Sequence, residues 1–359
     1  MIKIFKIVVI LITFILLLFY SLFYFDFLNT HFDKVEDAVS YCSTKISEVT
    51  PKEKLKVMTW NIKFGAARID FFFDCHDNKT GFTKKEAEIN LLNLAKKIKE
   101  IDPDLLFLQE VDINSYRSGN INQLKFLLEK TNLNYGVYAS QWKVDNLPKH
   151  NIKKINSGNA ILSKYPLKNG KRYALSLIDE QDFVTQYFYL KRNILKAEIN
   201  FNNNKIILLN THISAFSRDN TKRKQIKQFK DMIDSYKNRS VIAGGDLNLI
   251  PSTSKKVEEF SDIVCKEDFV YKSFKLELNI LDILYKDYTP AISLKDFNEN
   301  NNKYFTHTTD KNGFWNRKID YLFTNRSFRD GRVIQNTMKL SDHAPIVVDF
   351  YRRNDEFKN

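Results

Sequence analysis

Three cysteines, seven prolines and ten glycines are few for a chain of 359 residues. Cys42, Cys75 and Cys265 form no C-x-x-C pair, which argues against a zinc site. Sparse glycine and proline, with no period of about 20 to 50 residues recurring, exclude collagen-like, low-complexity and solenoid architectures. Histidine is scarce as well, six in all, so those that close hydrophobic runs stand out. What is abundant is apolar material: 43% apolar and 14% aromatic residues are too much for a disordered chain and enough for one large core. Lys and Arg number 56 against 43 Asp and Glu, a formal charge of +13, almost all of it beyond the first 30 residues. Such a balance favours polyanions such as nucleic acid or anionic lipid. The basic residues are scattered, however, and Lys, Asn and Ile are frequent throughout, so charge does not choose a substrate.

The longest apolar run stands at the amino terminus. Lys3 and Lys6 precede Ile7 to Phe25, in which Thr13 and Ser21 are the clearly polar members. At about 1.5 Å per residue this stretch can cross a hydrocarbon core about 30 Å thick. Phe23, Tyr24, Phe25 and Asp26 follow with no small-residue cleavage site, which favours an uncleaved anchor over a removed signal. The lysines before the run, against Asp26, Asp33, Glu36 and Asp37 after it, orient the amino terminus to the cytoplasm and the rest outside. The expected organisation is an anchor at 1–30, a linker at 31–54, a catalytic domain at 55–352 and a polar tail at 353–359. An exported chain with three cysteines has room for one disulfide and one free thiol, in a pairing the sequence leaves open.

Beyond the anchor, Leu55 to Trp60 alternates as a strand does, and Thr83-Lys84-Lys85-Glu86 is a capping-box pattern ahead of apolar residues at helical spacing. Pro103 separates that helix from Leu105-Leu106-Phe107-Leu108, a fully apolar run typical of a strand buried on both faces. Similar runs recur at 158–162, 194–199, 206–210, 241–243, 319–323 and 345–350, with helical patterns at 121–130 and 222–236. The pattern predicts a layered α/β domain. The stretches 171–187 and 266–302 read as insertions, and 298–302 as an exposed loop.

The informative polar residues fall at the ends of these runs, where several strands can bring side chains to one rim. Glu110 follows four apolar residues, and a buried carboxylate there calls for a partner such as Mg²⁺, with Asn61 and Asp342 as further oxygen donors. By itself such a Glu also caps a strand end. Asp246 and Asn248, one residue apart, point to the same side of an extended segment, one able to accept a proton and the other to donate a hydrogen bond; alone, G-D-x-N is equally a turn. His212 and His343 close apolar runs, and Asp320 offers a carboxylate to hold one imidazole protonated and oriented.

In order, Trp60-Asn61, Leu108-Gln109-Glu110, Gly158-Asn159-Ala160, Asn210-Thr211-His212, Gly245-Asp246-Leu247-Asn248, Lys318-Ile319-Asp320-Tyr321 and Ser341-Asp342-His343-Ala344-Pro345 resemble the motifs of the endonuclease/exonuclease/phosphatase superfamily. Its members include deoxyribonuclease I, exonuclease III-like repair nucleases, inositol polyphosphate 5-phosphatases and bacterial sphingomyelinases. The resemblance spans about Lys56 to Phe350 and implies a deoxyribonuclease I-like, four-layer α/β sandwich of two mixed β-sheets flanked by helices, here preceded by one transmembrane helix. It also implies cleavage of phosphate esters with Mg²⁺, or Mn²⁺ in its place. Glu110 and Asn61 would hold the ion with Asp342 nearby, and Asp246 would orient or deprotonate the attacking water. Asn248 and His212 would contact the phosphate, and His343, paired with Asp320, would stabilise the phosphorane or protonate the leaving group. Thr211-His212 is closer to the deoxyribonuclease, phosphatase and sphingomyelinase branches than to the repair enzymes. Segments 69–75, 135–142, 305–310 and 313–317 resemble a bacterial membrane-tethered subgroup.

Asn159, Arg192 and Arg317 are candidate phosphate ligands; the two arginines flank apolar strands and can clamp phosphate with paired bonds. The aromatics Phe71 to Phe73 and Tyr187-Phe188-Tyr189 with Lys191-Arg192 could grip a lipid headgroup or stack on bases if exposed, although rings in strands are more often core. His76, His150, Asp74 and Asp77 read as solvated loop residues without a second metal. The leading expectation is a membrane-tethered phosphodiesterase or phosphatase on lipid or small-molecule phosphates. The alternatives are an extracytoplasmic nuclease and, remotely, a non-catalytic binding module. No protein partner is evident.

Overall fold

The structure, a computed structural model, describes residues 2–50, 52–71, 79–147, 152–215, 217, 219–260 and 274–351. Phe72, Phe73, Asp74, Cys75, His76, Asp77, His150, Cys265 and the tail 353–359 lie outside these. Helix α1 (Ile2–Thr30) contains the apolar run. Its Lys3–Ser21 stretch has a mean hydropathy of 2.7 and is not buried against the rest of the chain, so by length and composition it can cross a membrane or act as a signal sequence.

Among the described residues, fourteen strands follow: β1 (Val35–Asp37), β2 (Val39–Cys42), β3 (Leu55–Asn61), β4 (Leu105–Asp112), β5 (Tyr135–Leu147), β6 (Ile152–Ser163), β7 (Lys168–Ala174), β8 (Asn193–Phe201), β9 (Asn204–His212), β10 (Ser240–Asp246), β11 (Thr289–Pro290), β12 (Asp320–Thr324), β13 (Ser327–Val333) and β14 (Ile346–Tyr351). They build two seven-stranded sheets, ordered β1-β7-β8-β9-β10-β12-β11 and β13-β14-β3-β4-β6-β5-β2. Both are mixed, because β9–β10 in one and β3–β4 in the other are parallel.

Alternation within each strand sorts the side chains into layers. Leu55, Val57, Leu105 and Phe107 of one sheet meet Leu195, Ala197, Ile206 and Leu208 of the other in a core between the sheets. Their neighbours Met58, Trp60, Leu106 and Leu108 face outward onto α2 (Lys84–Ile101) and α3 (Gln123–Lys130). On the opposite outer face, Ile207, Leu209, Val241 and Ala243 pack under α5 (Thr221–Asp234). Helix, sheet, sheet, helix is the four-layer sandwich expected from the sequence.

Thr83 and Glu86 form the reciprocal cap of α2: Thr83 Oγ1 accepts from the Glu86 amide at 3.2 Å and Glu86 Oε2 accepts from the Thr83 amide at 2.8 Å. Thr83→Ala is expected to lower stability by about 1 kcal/mol. The check is a urea midpoint that falls at constant slope.

Some local expectations change. Residues 35–42, expected within a linker, add an edge strand to each sheet, β1 against β7 and β2 against β5. Short polar edge strands leave no hydrophobic signature to read. Residues 298–302 form no loop: α7 (Leu294–Glu299) and α8 (Asn301–Tyr304) meet there, each begun by a side-chain cap, from Ser293 and Asn300. The 171–187 stretch opens with the end of β7 and carries most of α4 (Phe183–Phe188). From 266 to 302 the described part, 274–302, holds α6 (Asp282–Asp287), β11 and α7 and enters α8. Phe71 and Tyr187 are buried, so of the aromatics considered for ligand contact these two belong to the interior. Cys42, at the end of β2, is exposed and unbridged.

Candidate active site

One rim of the sandwich gathers strand ends from both sheets. In register, Asp246 of β10 lies opposite His212 of β9 and Asp320 of β12. The other sheet contributes Asn61 at the end of β3, Glu110 near the end of β4, and Asp342 and His343 in the turn before β14. Gly245 permits the approach: its φ of 133° is one that side chains resist, and a Cβ there would strike the Thr211 carbonyl.

Asn61 ties the sheets together. Its Nδ2 donates to Glu110 Oε1 at 3.1 Å and to Asp246 Oδ2 at 3.0 Å, while its Oδ1 accepts from the Lys63 amide at 3.0 Å. Deeper down, Gln109 Nε2 crosses the same gap to Asn210 Oδ1 at 2.7 Å. Glu110 is aimed by a β-bulge: the β4–β6 pairing shifts between Leu108 and Val111, and Glu110 takes a left-handed φ of 56°. Asn248 is also left-handed, at φ 46°, and its amide nitrogen donates to Asp246 Oδ1 at 3.0 Å. The Asn248 side chain donates to the Ile213 carbonyl at 3.1 Å.

His343 sits between carboxylates. Its Nδ1 is 2.9 Å from Asp320 Oδ2, its Nε2 is 3.7 Å from Asp246 Oδ2, and its carbonyl accepts from Trp60 Nε1 at 2.9 Å. Burial alone would depress the imidazole, but Asp320, Asp246 and Asp342 outweigh it and raise the pKa to about 10. His212 has the opposite environment: burial, Arg192 and His343 hold it well below the usual histidine value, so it is neutral. Burial and the charge of Asp320 raise Asp246 to about 7 against the opposing pull of His343. Glu110 is raised too, by burial and then by Asp342. For Asp342 burial acts upward, and Lys63, whose Nζ is 3.7 Å away, joins His343 and Arg68 in bringing the net shift down.

Among the described residues, two triads present ligand atoms within 4.8 Å of one another, Asp246–Asp320–His343 and His307–Asp342–His343. In the first, His343 is itself the cation. The donors that suit a hard ion are the oxygens of Glu110 and Asp342, which fit it on one observation: Asp342 adds to the burial that disfavours the charge of Glu110, and a divalent cation would relieve both. Asn61 would join them by turning over its amide, whose Nδ2 faces Glu110 here.

The three phosphate-ligand candidates stand differently. Arg192, buried, donates from Nη1 to Gln141 Oε1 at 3.2 Å, next to His212. Asn159 is turned to Asn193, with Nδ2 at 3.2 Å from its Oδ1, and its own buried Oδ1 has no partner. Arg317 lies behind His307: its carbonyl accepts from the His307 amide at 3.0 Å, its Nη1 reaches Asn316 Oδ1 at 2.7 Å, and its guanidinium covers the Phe260 ring. Thus Asn61, Glu110, His212, Asp246, Asp320, Asp342 and His343 meet directly, Asn248 joins through its backbone, Arg192 joins through Gln141, Asn159 is turned to Asn193, and Arg317 reaches Asn316.

Sequence reasoning missed Gln141, Lys63, Arg68 and His307. The His307 ring lies edge-on to His343 with centroids 4.4 Å apart, and Arg68 Nη1 donates to the Thr308 carbonyl at 3.0 Å. A rare histidine after Phe305-Thr306 was a usable signal for His307; the others carry no local mark.

A four-layer sandwich with carboxylates, histidines and an asparagine at one rim has the construction of a metal-assisted hydrolase. The model of the Endonuclease/Exonuclease/phosphatase family matches residues 58–343, and the chain belongs to that family. Its members are in general metal-dependent phosphoesterases and nucleases. An endonuclease/exonuclease/phosphatase from Beutenbergia cavernae is similar in structure at a TM-score of 0.56 and 18% identity, over 84% of this chain and 72% of its own. One from Bacteroides vulgatus gives 0.52 and 13%, over 83% and 98%, and a family protein from Leptotrichia buccalis 0.50 and 16%, over 82% and 98%. At these identities the likeness is one of fold. No curated protein matches the sequence.

Proposed function

We propose that this chain is a membrane-tethered phosphoester hydrolase that uses Mg²⁺, or Mn²⁺, and water to cleave phosphodiesters or phosphomonoesters of lipids or small molecules. The observation that carries the reading is the bridge from Glu110 through Asn61 to Asp246, set beside a His343 imidazolium held by Asp320. Asn61, Glu110 and Asp342 would hold the cation, which supplies Lewis-acid polarisation of a phosphoryl oxygen. Asp246, raised to about 7, accepts the proton of the attacking water. His212 donates to a phosphoryl oxygen, with Asn248 and Arg192 beside it and Asn159 and Arg317 as outer candidates. His343 places positive charge where the phosphorane gathers negative charge and can pass its proton to the leaving oxygen. No protein nucleophile is required. The apolar α1 supports tethering, with the amino terminus cytoplasmic and the domain outside.

The +13 charge favours a second reading, an extracytoplasmic nuclease. The full chain in detergent with Mg²⁺, offered sphingomyelin, phosphoinositides, a nitrophenyl phosphodiester and plasmid DNA, separates the two. Turnover of the lipid or small esters is expected, with EDTA or Glu110→Gln lowering it by roughly a hundredfold or more. Nicking of DNA alone would replace the first reading by the second. Metal-independent turnover would remove the cation from both.

A further inference from the structure

The β5–β6 pairing shifts between Ser140 and Trp142, leaving Gln141 as the extra residue of a bulge that breaks the side-chain alternation. The side chain is fully buried and lies between two site residues: Oε1 accepts from Arg192 Nη1 at 3.2 Å and Nε2 faces His212 Nδ1 at 3.4 Å. The orientation of this amide is not free. A guanidinium has only donors, so the Gln141 oxygen must face Arg192, and its NH₂ is thereby directed at His212. A nitrogen that receives an N–H must offer its lone pair, so Nδ1 of His212 carries no proton and Nε2 does. That Nε2 lies 3.3 Å from Asp246 Oδ2. The four side chains form one buried line of donors, Arg192 to Gln141 to His212 to Asp246.

We infer that Gln141 is a positioning residue that locks His212 as the neutral Nε2–H tautomer, so that its single N–H, 3.3 Å from Asp246 Oδ2, can turn to a phosphoryl oxygen as a hydrogen-bond donor only, and proton delivery falls to His343 alone. This rests on the hydrolase reading for its consequence and on geometry alone for the tautomer. Protonating His212 would set an N–H against the Gln141 NH₂, a clash of two donors that a carboxylate at this position would not create. The bulge makes the arrangement possible, since strict alternation gives adjacent residues opposite faces.

The test is the tautomer of His212 in the full-length protein, read from long-range proton–nitrogen correlations of ¹⁵N-histidine, with His212→Asn to assign the signal. Wild type is expected to show an unprotonated Nδ1 and a protonated Nε2. In Gln141→Glu, Nδ1 should become the protonated atom, and kcat should fall by roughly ten- to a hundredfold with KM within about twofold. A wild-type His212 protonated at Nδ1, or the same tautomer in Gln141→Glu as in wild type, would overturn the lock. If the variant does not fold, the wild-type spectrum alone decides. Because the tautomer is read without substrate, a wild type inactive on every phosphoester would sink the hydrolase reading and not be mistaken for failure of the lock.

Discussion

His343→Ala should abolish nearly all turnover, lowering kcat by about 10³- to 10⁴-fold while the protein remains folded. The imidazole is raised to about 10 because Asp320, Asp246 and Asp342 outweigh the effect of burial, so the variant loses the positive charge that these carboxylates hold at that point. Asp320→Asn should cost less, about 10²-fold, because it keeps the ring in place and removes the charge 2.9 Å from Nδ1 that holds the proton. The measurement is kcat on a phosphodiester with a poor leaving group, beside a thermal melt. Near wild-type rates of the variant on a substrate with a good leaving group would assign proton delivery to His343, and equal loss on both substrates would assign charge stabilisation. A His343→Ala enzyme within tenfold of wild type would remove this residue from the mechanism.

The second large effect concerns a buried pair beside the rim, at the end of β4. Arg117 and Asp112 are both buried and joined by two bonds of 2.8 Å, and the guanidinium lies over the Phe64 ring at 3.8 Å. Ser118 Oγ adds a bond to Asp112 at 2.9 Å, and Arg117 reaches Ser157 Oγ at 3.1 Å. Arg117→Met strands the Asp112 carboxylate without its counter-charge, which is expected to cost about 3–5 kcal/mol. In a domain of this size that corresponds to a fall in Tm of roughly 10 °C. Arg117→Met combined with Asp112→Leu should recover much of the loss, since a buried pair replaced by apolar residues is often neutral. A single variant as stable as wild type would show the pair to be dispensable. Asp112 closes the strand that carries Glu110, so this pair also fixes the end of β4 beside the bulge.

Much of the rim was legible because strand ends are marked twice in a sequence, by the stop of an apolar run and by the polar residue that follows. Trp60-Asn61, Leu108-Gln109-Glu110 and Gly245-Asp246 all follow that rule. Arg317 shows its limit: it precedes Asp320 by three positions, yet its Nη1 reaches Asn316 and its guanidinium covers the Phe260 ring. Gln141 shows the converse, a residue inside a long strand that only an irregular pairing turns toward His212. The edge strands at 35–42 escaped notice for a different reason, since a strand of three or four residues with one partner buries too little to impose a pattern.

By itself the sequence determined the layers, the family and which polar groups stand at the strand ends, because alternation and the close of a hydrophobic run are local properties of the chain. The tertiary structure decided the rest: the bulges that turn Glu110 and Gln141, the protonated state of His343 against the neutral state of His212, and the seat of Arg117. Each of these depends on which strand lies alongside which and in what register. Groups up to about 280 residues apart, such as Trp60 and His343, acquire their protonation and direction only when burial and charge from both sheets act on them together.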